Sequence, residues 1–414
     1  MSQFLSVGAI LLSTLLFLAG QGLTGTLLPL RAHLAQFSDF SIGLMASAYF
    51  VGFIAGCYGG PRMLARVGHS RTFAAAGGIA AAVVLAMSLE ISEPAWILLR
   101  GLFGFAAASI YMVLESWLND RATNETRGQI FAAYLLVNFT GLIVGQWCFT
   151  AGKTVSATLF ILGAIFYSLC LIPLGLTRLA QPQPVRVPTL RPLRLFRISP
   201  VGVTGCIAVG FANAACWAFL PIYAHDQHLS RGLVAGFMSA FTLGGALIQL
   251  PIGRLSDRLD RRLIIAAASI CAAGMGVAMF LFGRSSNSAA LILIALFGAS
   301  ALPVYGLSVA HANDRIARKN FVESSATLLL VNALASTIGP VLAASITDRF
   351  GTSSLFLYTA LVHVSLAAFT VARIGTAAPP VHREAYKPTP QQASPIAFEI
   401  DPRGEQQDAP IRIS

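Results

Sequence analysis

Two ionisable side chains, Arg100 and Glu115, interrupt a long apolar stretch at residues 95–117. A charge within an apolar segment is costly and normally faces the interior of a protein. On an α-helix the two residues share one face about 22 Å apart, so they cannot pair with each other. We expect Arg100 to bind a substrate, to take part in proton coupling or to bond neighbouring carbonyl groups. We expect Glu115 to act in a gate or at a helix end, with proton carriage as the alternative.

The rest of the sequence contains no pattern typical of a catalytic site. There is no glycine-rich phosphate loop, no cluster of metal ligands and no paired nucleophile and base. The six cysteines lie in apolar runs and form no C-x-x-C pair, which is typical of small core residues. We therefore predict that the protein is not an enzyme and binds neither a cofactor nor a metal ion.

The composition predicts the elements that must position Arg100 and Glu115. Of the 414 residues, 56% are hydrophobic and 11% are charged, whereas soluble domains have about 45–50% and 25%. Unbroken apolar runs of roughly 20 residues match the length that a helix needs to cross a bilayer, whereas barrel strands are shorter and alternate. The chain is therefore predicted to be an all-α membrane protein, and a soluble enzyme is excluded.

The apolar runs predict twelve membrane-spanning helices, numbered here as spans 1 to 12. They form two groups of six, an N-terminal bundle at residues 1–177 and a C-terminal bundle at 201–373. Residues 178–200, rich in proline and arginine, are expected to form a cytoplasmic linker without regular helix, and 374–414 a disordered cytoplasmic tail. The spans are predicted at residues 4–30, 41–60, 73–92, 95–117, 129–151, 156–177, 201–223, 233–252, 263–283, 288–310, 324–346 and 353–373.

Basic loop residues predict the orientation of the chain in the membrane. Arginine is abundant in the loops on the side of the two termini, and few basic residues lie in the other loops: Arg31, Lys153, Arg231, Arg284 and Arg349. Basic loops favour the cytoplasmic side, so we expect both termini there and the linker arginines in contact with lipid headgroups. This placement accounts for the formal net charge of +11 without nucleic-acid binding, for which no motif is present.

The second half of the sequence repeats polar residues of the first half. Repeated polar matches at nearly one offset indicate duplication of a six-helix unit. Parallel repeats of this kind place a binding site between the two halves, near the middle of the membrane. At an offset of 194 residues Asn138 matches Asn332, Tyr111 matches Tyr305 and Gly104 matches Gly298, and at 192 residues Gln21 matches Asn213 and Ala32-His33 matches Ala224-His225.

The loop after span 8 carries the most specific motif. Residues 253–262 read GRLSDRLDRR, which resembles the GxLaDRxGRR signature of the major facilitator superfamily, and Arg100 and Gly104 resemble its RxxxG pattern in span 4. With Glu115-Ser116 at the end of span 4, the chain is similar to a little-characterised bacterial branch. The resemblance covers residues 4–373 and implies twelve helices in two pseudo-symmetric bundles. It also implies secondary transport by alternating access in a bacterial inner membrane.

The resemblance implies a gate on the cytoplasmic side. In the family the acidic residue of this loop latches that side closed, which points to Asp257 and Arg258. The matching loop of the first half keeps Arg66 but has Ala65 in place of the acid. We therefore expect an asymmetric gate formed by Asp257, Arg258 and Arg66, together with Glu115.

The resemblance also implies a substrate cavity, since spans 1, 4, 7 and 10 line it in the superfamily. Asn138 and Asn332, on spans 5 and 11, are expected at helix interfaces. For every one of these polar residues the alternative is an ordinary hydrogen bond between helices. The residues expected to bind substrate are Gln21, Arg100, Tyr111, Asn213, Trp217 and Tyr305.

Amide and phenol groups around a single arginine suit a small organic solute that is neutral or weakly anionic, such as an aromatic compound or a riboflavin-like vitamin. One arginine cannot neutralise a polyanion. We expect a monomer that moves this solute, alone or with protons, across the membrane. The alternatives are a drug or metabolite efflux pump of the same fold, and a membrane receptor or scaffold that does not transport.

Overall fold

Every predicted span forms a helix in the structure. The computed structural model describes residues 2–123, 125–177, 182, 190–317, 320–375, 386–389 and 391–400. Within these ranges there is no β-strand, and twelve helical segments are long and apolar enough to cross a membrane. The predicted all-α fold is therefore confirmed, and the chain is a multi-pass membrane protein.

Spans 6 and 10 each consist of two consecutive helices, and the other spans are single helices. Among the described residues, three short elements lie outside the spans: a 3-10 turn at Phe149–Ala151 and the helices Pro192–Ile198 and Ala397–Ile400. The spans, in chain order, are Ser2–Leu34, Asp39–Val67, His69–Leu89, Glu93–Arg121, Arg127–Cys148, Thr158–Leu169 with Leu171–Gly175, Pro200–Asp226, Arg231–Arg258, Arg261–Phe282, Asn287–Ala301 with Pro303–Asn313, Phe321–Phe350 and Ser354–Ile374.

Serine and glycine residues define several span ends. The side chains of Ser38, Ser230 and Ser286 each accept a hydrogen bond from the backbone N–H three residues later, at the start of spans 2, 8 and 10. Such caps satisfy donors that the first helical turn leaves without a partner. Gly68 and Gly351 have a φ of 80° after spans 2 and 11, a conformation that side chains disfavour. These glycines therefore permit the tight connections to spans 3 and 12.

The two halves use the same helix pairs. Span 2 packs on span 4, span 1 on span 5 and span 3 on span 6, and in the second half 8 packs on 10, 7 on 11 and 9 on 12. The halves meet through spans 2 and 11, spans 5 and 8, and spans 1 and 7. The predicted pair of pseudo-symmetric six-helix bundles is confirmed. The membrane side with the start of span 1 and the end of span 12 is called the terminal face, and the other side the opposite face.

A repeated glycine explains one of these shared pairs. A Cβ atom on Gly104 of span 4 would collide with the carbonyl oxygen of Tyr49 in span 2. A Cβ atom on Gly298 of span 10 would collide in the same way with the carbonyl oxygen of Phe241 in span 8. Glycine allows two helix backbones to approach this closely. The match between Gly104 and Gly298 therefore reflects a shared packing requirement.

The linker contains a regular helix, contrary to the prediction. Residues Pro192–Ile198 form a short helix, in which Leu195 is buried. Pro192 stands in the first helical turn, where the N–H that proline lacks would have no partner in any case. Proline at this position starts a helix instead of breaking it. Residues 178–181 and 183–189 lie outside the described residues, so the rest of the linker prediction stays a prediction.

The tail also differs from its prediction as a disordered segment. Residues 386–389 and 391–398 lie between the two halves at the terminal face, where they bond to residues of both. Ala393, Ile396 and Phe398 are at most 2% exposed. These apolar residues stand in a stretch that is otherwise polar and rich in proline, and their burial depends on the groove that the folded halves provide. Residues 376–385, 390 and 401–414 lie outside the described residues.

Candidate functional site

A cavity of about 200 Å³ lies between the two halves. Its lining includes Gln21, Arg100 and Tyr111 from the first half and Trp217 and Gln249 from the second. Four of the six residues predicted to bind substrate therefore share one cavity. The lining also includes residues of spans 2 and 5 and of the tail, which the sequence analysis did not expect there.

Arg100 lies over two aromatic rings at the wall of the cavity. Its guanidinium carbon is 4.8 Å from the ring centroid of Tyr49 and 5.4 Å from that of Phe103. Cation–π contacts of this kind offset part of the cost of holding a charge away from water. Because these contacts are with aromatic rings and not with hydrogen-bond acceptors, the N–H groups of Arg100 can serve a ligand.

Gln21 and Tyr111 meet inside the cavity. The Nε2 atom of Gln21 lies 3.5 Å from the Tyr111 hydroxyl oxygen, which is the long limit of a hydrogen bond. The Tyr111 ring packs edge-on against Phe17 and Phe53, with centroid distances of 5.3 and 6.2 Å. The aromatic contacts hold the ring in place, while the weak bond leaves the Gln21 amide able to turn towards a ligand.

Asn213 and Trp217 of span 7 lie on the second-half side of the cavity. Trp217 lines it directly and packs edge-on against Phe241 at 5.3 Å. Asn213 is fully buried and donates from Nδ2 to the Oε1 atom of Gln391 at 3.1 Å. Among the described residues, its own Oδ1 atom has no hydrogen-bond partner. Asn213 is therefore connected to the cavity by its hydrogen bond to Gln391, a residue of the tail that lines the cavity.

Tyr305 lies outside the residues described as lining the cavity, in contrast to its repeat partner Tyr111. It belongs to a separate apolar cluster that also contains Tyr386. Span 10 is divided at Leu302 into two helices, whereas span 4 is a single helix. The two tyrosines therefore face different surroundings, and the placement of Tyr305 in the substrate cavity is not supported by this structure.

Glu115 is a carboxylate with no exposed surface. The hydroxyl group of Tyr134 donates to it at 2.6 Å. The backbone N–H and the hydroxyl group of Ser394 donate to it at 2.9 and 2.5 Å. These three donors offset the cost of burying an acidic group. Glu115 thus links span 4 to span 5 and to the tail.

The predicted latch at the terminal face has a different basic partner. Asp257 pairs with Arg261 at 3.1 Å and not with Arg258, which is exposed, as is Arg66 in the first half. Arg261 also contacts Asp314 at 2.6 Å, and these two side chains are 1% and 2% exposed. Side chains four residues apart face the same way, whereas helical neighbours such as Asp257 and Arg258 point about 100° apart. Sequence adjacency therefore suggested the wrong arginine.

The opposite face is closed by contacts that the sequence analysis did not assign. His33 Nε2 lies 3.2 Å from Asp226 Oδ1 and joins span 1 to span 7. Beside this pair, the rings of His33 and His225 lie edge to face at 6.4 Å. Gln146 of span 5 donates to Thr242 of span 8 at 3.1 Å. The repeated Ala-His pair was the one sequence signal for this closure.

The two repeated asparagines have different environments. Asn332 donates from Nδ2 to the carbonyl oxygen of Cys206 at 2.9 Å, which joins span 11 to span 7. Asn138 donates to the carbonyl oxygen of Tyr134 in its own helix at 2.7 Å and lines the cavity. The structure therefore places Asn332 at a helix interface, as expected, and adds Asn138 to the residues that a ligand could contact.

Known proteins share this sequence pattern over most of the chain. A family model described as Major Facilitator Superfamily matches residues 10–322 and 203–400. The uncharacterized MFS-type transporter YcaD of Salmonella typhi is 26% identical over 360 residues, which cover 86% of this chain and 92% of that protein.

Solved structures share the fold at low sequence identity. The nucleoside transporter NupG has a TM-score of 0.75 at 16% identity, over 89% of this chain and 99% of that one. A bacterial homolog of the human lysosomal transporter Spinster, in an inward-facing and occupied conformation, has a TM-score of 0.75 at 14% identity, over 90% and 96%. At these identities the likeness shows the fold alone.

Proposed function

Because the chain belongs to the major facilitator superfamily and is a secondary transporter, we propose that its solute binds in the cavity around Arg100. The observation that carries this proposal is the convergence of Gln21, Arg100, Tyr111 and Trp217 on one cavity between the halves. A site at that position can face either side of the membrane as the halves move relative to each other.

The lining favours a small organic solute that is neutral or weakly anionic and carries an aromatic ring. Tyr49, Tyr111 and Trp217 supply aromatic surface, and the Gln21 amide both donates and accepts hydrogen bonds. Arg100 is the single basic residue among the described lining residues. It suffices for one carboxylate or phenolate group but not for several charges. A riboflavin-like vitamin belongs to this solute class.

The contacts between the halves support a conformation that is closed at the opposite face. His33–Asp226 and Gln146–Thr242 join the halves there. At the terminal face the tail lies between the halves instead. Alternating access through this cavity requires the contacts of the opposite face to break while the halves approach each other at the terminal face.

The proposal places the protein in a bacterial inner membrane with the terminal face in the cytoplasm. Arginine-rich loops on that face support this orientation. Exposed leucines on the outer surface of the bundles, among them Leu98, Leu136 and Leu247, suit contact with lipid tails. One copy of the chain contains the whole cavity, which supports a functional monomer.

Uptake into proteoliposomes tests the solute site. The full chain is assayed with labelled vitamins, sugars and drug-like aromatic compounds. We expect Arg100→Ala to lower uptake of the carried solute at least about 10-fold, because a charge-assisted contact is worth about 1.5–3 kcal/mol. Arg71→Ala, which removes an exposed arginine at the start of span 3, serves as the matched control. Uptake that survives Arg100→Ala unchanged would rule out this cavity wall as the solute site.

The same assay with an imposed pH gradient tests coupling to protons. Accumulation that depends on the gradient indicates proton coupling, and equilibration without accumulation indicates uniport. Asn213→Leu, compared in chains ending at Gly375 so that the contact with Gln391 of the tail is absent from both, is expected to lower flux, since it removes a buried amide next to the cavity. A chain that folds and moves no compound of the panel would favour the receptor or scaffold alternative.

A further inference from the structure

We propose that the C-terminal segment is a built-in plug that binds between the two halves at the terminal face and blocks the cavity. The plug consists of residues 386–389 and 391–398, which the structure describes. Its docking rests on its own contacts. The consequence for transport rests on the proposed function, because only a solute that uses this cavity would be blocked.

The plug is anchored to the second half at its beginning. The backbone N–H of Tyr386 donates to Asp257 Oδ1 at 2.8 Å. The Tyr386 ring lies directly against Gly253 of span 8 and Gly306 of span 10, where a Cβ atom would collide with it. These glycines therefore form a surface that accepts a flat ring. Asp257 and Gly253 belong to the loop motif, so the plug docks on the segment in which the sequence predicted a gate.

The plug is anchored to the first half near its end. Ser394 donates two hydrogen bonds to Glu115, at 2.9 and 2.5 Å, beside the one from Tyr134. A buried carboxyl group needs such donors, and loss of Ser394 would remove two of them. Ile396 and Phe398, at 2% and 1% exposed, bury apolar surface beside this bond, which favours docking further.

Between the two anchors the plug occupies the end of the cavity. Gln391 accepts a hydrogen bond from Asn213 at 3.1 Å, and Gln392 lies 3.5 Å from the Tyr49 hydroxyl. Both glutamines and Thr389 line the cavity. The space left is about 200 Å³, less than the roughly 300–1,000 Å³ of ordinary small-molecule sites. Plug side chains thus take the Asn213 amide, the Tyr49 hydroxyl and part of the room that a solute would use.

The plug also bridges two bodies that must move during transport. Its bonds to Asp257 and Asn213 lie on the second half, and its bond to Glu115 lies on the first. Closing the terminal face would require the halves to meet where the plug lies. A docked plug therefore holds the chain closed at the opposite face, and its release is a condition for turnover.

A peptide-binding experiment tests the docking without any solute. A chain ending at Gly375 is mixed with a fluorescent peptide of the sequence YKPTPQQASPIAF, residues 386–398. We expect saturable binding to the truncated chain and at least tenfold weaker binding to the full chain, whose own plug fills the site. A peptide with Ser394→Asp should bind at least tenfold more weakly, because its carboxylate would face Glu115. A peptide with Lys387→Gln is the matched control and should bind normally.

The rate at which a cysteine in the cavity is labelled provides a second test of the plug. A cysteine is placed at Asn138, which lines the cavity, in a full chain with Cys57, Cys148 and Cys271 changed to serine. We expect a charged maleimide to label it from the terminal face at least tenfold faster after truncation at Gly375, and also after Ser394→Asp in the full chain. Equal labelling in all three chains, or a truncated chain that does not bind the peptide, would overturn the plug.

Transport separates this inference from the proposed function. If the peptide binds and solute uptake rises several-fold on truncation, the plug and the proposed function are both supported. If the peptide binds and labelling changes, but neither chain carries any solute of the panel, the plug stands and the proposed function fails. If the peptide binds but the two chains take up solute at the same rate, the plug does not block the pathway, and that part of the inference is wrong.

Discussion

The two halves of the molecule share their helix pairs but differ in how the terminal face is held together. In the second half, Arg261 begins span 9 and contacts Asp257 and Asp314. In the first half the matching position at the start of span 3 is His69, whose Nε2 atom lies 2.9 Å from the hydroxyl of Ser116 in span 4. The same helix junction is therefore held by ionic contacts in one half and by a histidine–serine hydrogen bond in the other.

This difference shows which features a duplicated helix bundle must keep. Close backbone contacts such as those at Gly104 and Gly298 recur because the helix framework fails without them. The side chains at the junction can diverge as long as some bond joins the two helices. The first half has Ala65 where the second half has Asp257. In the first half Glu115 contacts the plug instead, so each half presents one acidic side chain to the plug.

Breaking the ionic contacts of Arg261 in the second half should have the largest effect on stability. Arg261→Met removes the ion pair with Asp314, in which both side chains are buried, and breaking a buried pair costs about 3–5 kcal/mol in other proteins. The matched change His69→Ala removes a hydrogen bond and should cost about 1–2 kcal/mol. Thermal unfolding in detergent measures both. Equal destabilisation by the two variants would show that the halves do not differ in the way described here.

The glycine contacts should respond alike in the two halves. Gly104→Ala and Gly298→Ala each force helix backbones apart, which typically costs about 1–3 kcal/mol. Gly274→Ala, inside span 9 at a position with no heavy atom near the added carbon, is the control and should leave the unfolding temperature unchanged or raise it slightly, because alanine favours a helix more than glycine does. Tolerance of alanine in one half and not in the other would contradict a shared framework.

Weakening the closure of the opposite face should shift a population more than it changes stability. Asp226→Asn removes the charge that faces His33, and both side chains are about 30% exposed, so the pair is worth roughly 0.2–1 kcal/mol. We expect up to about a fivefold shift towards chains open at the opposite face. Distances between spin labels on the two halves report this shift, and Lys153→Gln is the control. A distribution identical to that of the wild type would exclude this pair as a closing contact.

Placing an acidic residue at position 65 of the first half should have the smallest effect on stability. Ala65→Asp places a carboxylate four residues before His69, as Asp257 precedes Arg261. Position 65 is exposed, so we expect a gain in the free energy of unfolding of at most about 0.5 kcal/mol. Thermal unfolding at low and high salt measures it. A gain as large as the loss in Arg261→Met would mean that the ionic latch can be transferred to the first half intact.

Much of the candidate site could be predicted, but not the side chains that complete it. Arg100 and Gln21 stood out because polar groups are rare in apolar spans, and both line the cavity. Tyr305 was placed there by its match to Tyr111, but it lies in a separate apolar cluster, in a span that is divided into two helices. The pairing of His33 with Asp226 was not predicted, because it joins spans that are far apart in the sequence.

The sequence by itself determined the membrane location, the twelve spans and their division into two repeated bundles. These properties follow from local composition, because a chain in lipid must satisfy its backbone within each helix. The tertiary structure alone decided which arginine meets Asp257 and where residues 386–389 and 391–398 lie. Both depend on side chains that only the folded bundles bring together. The plug is short, polar and rich in proline, so nothing in its sequence could show the groove that buries it.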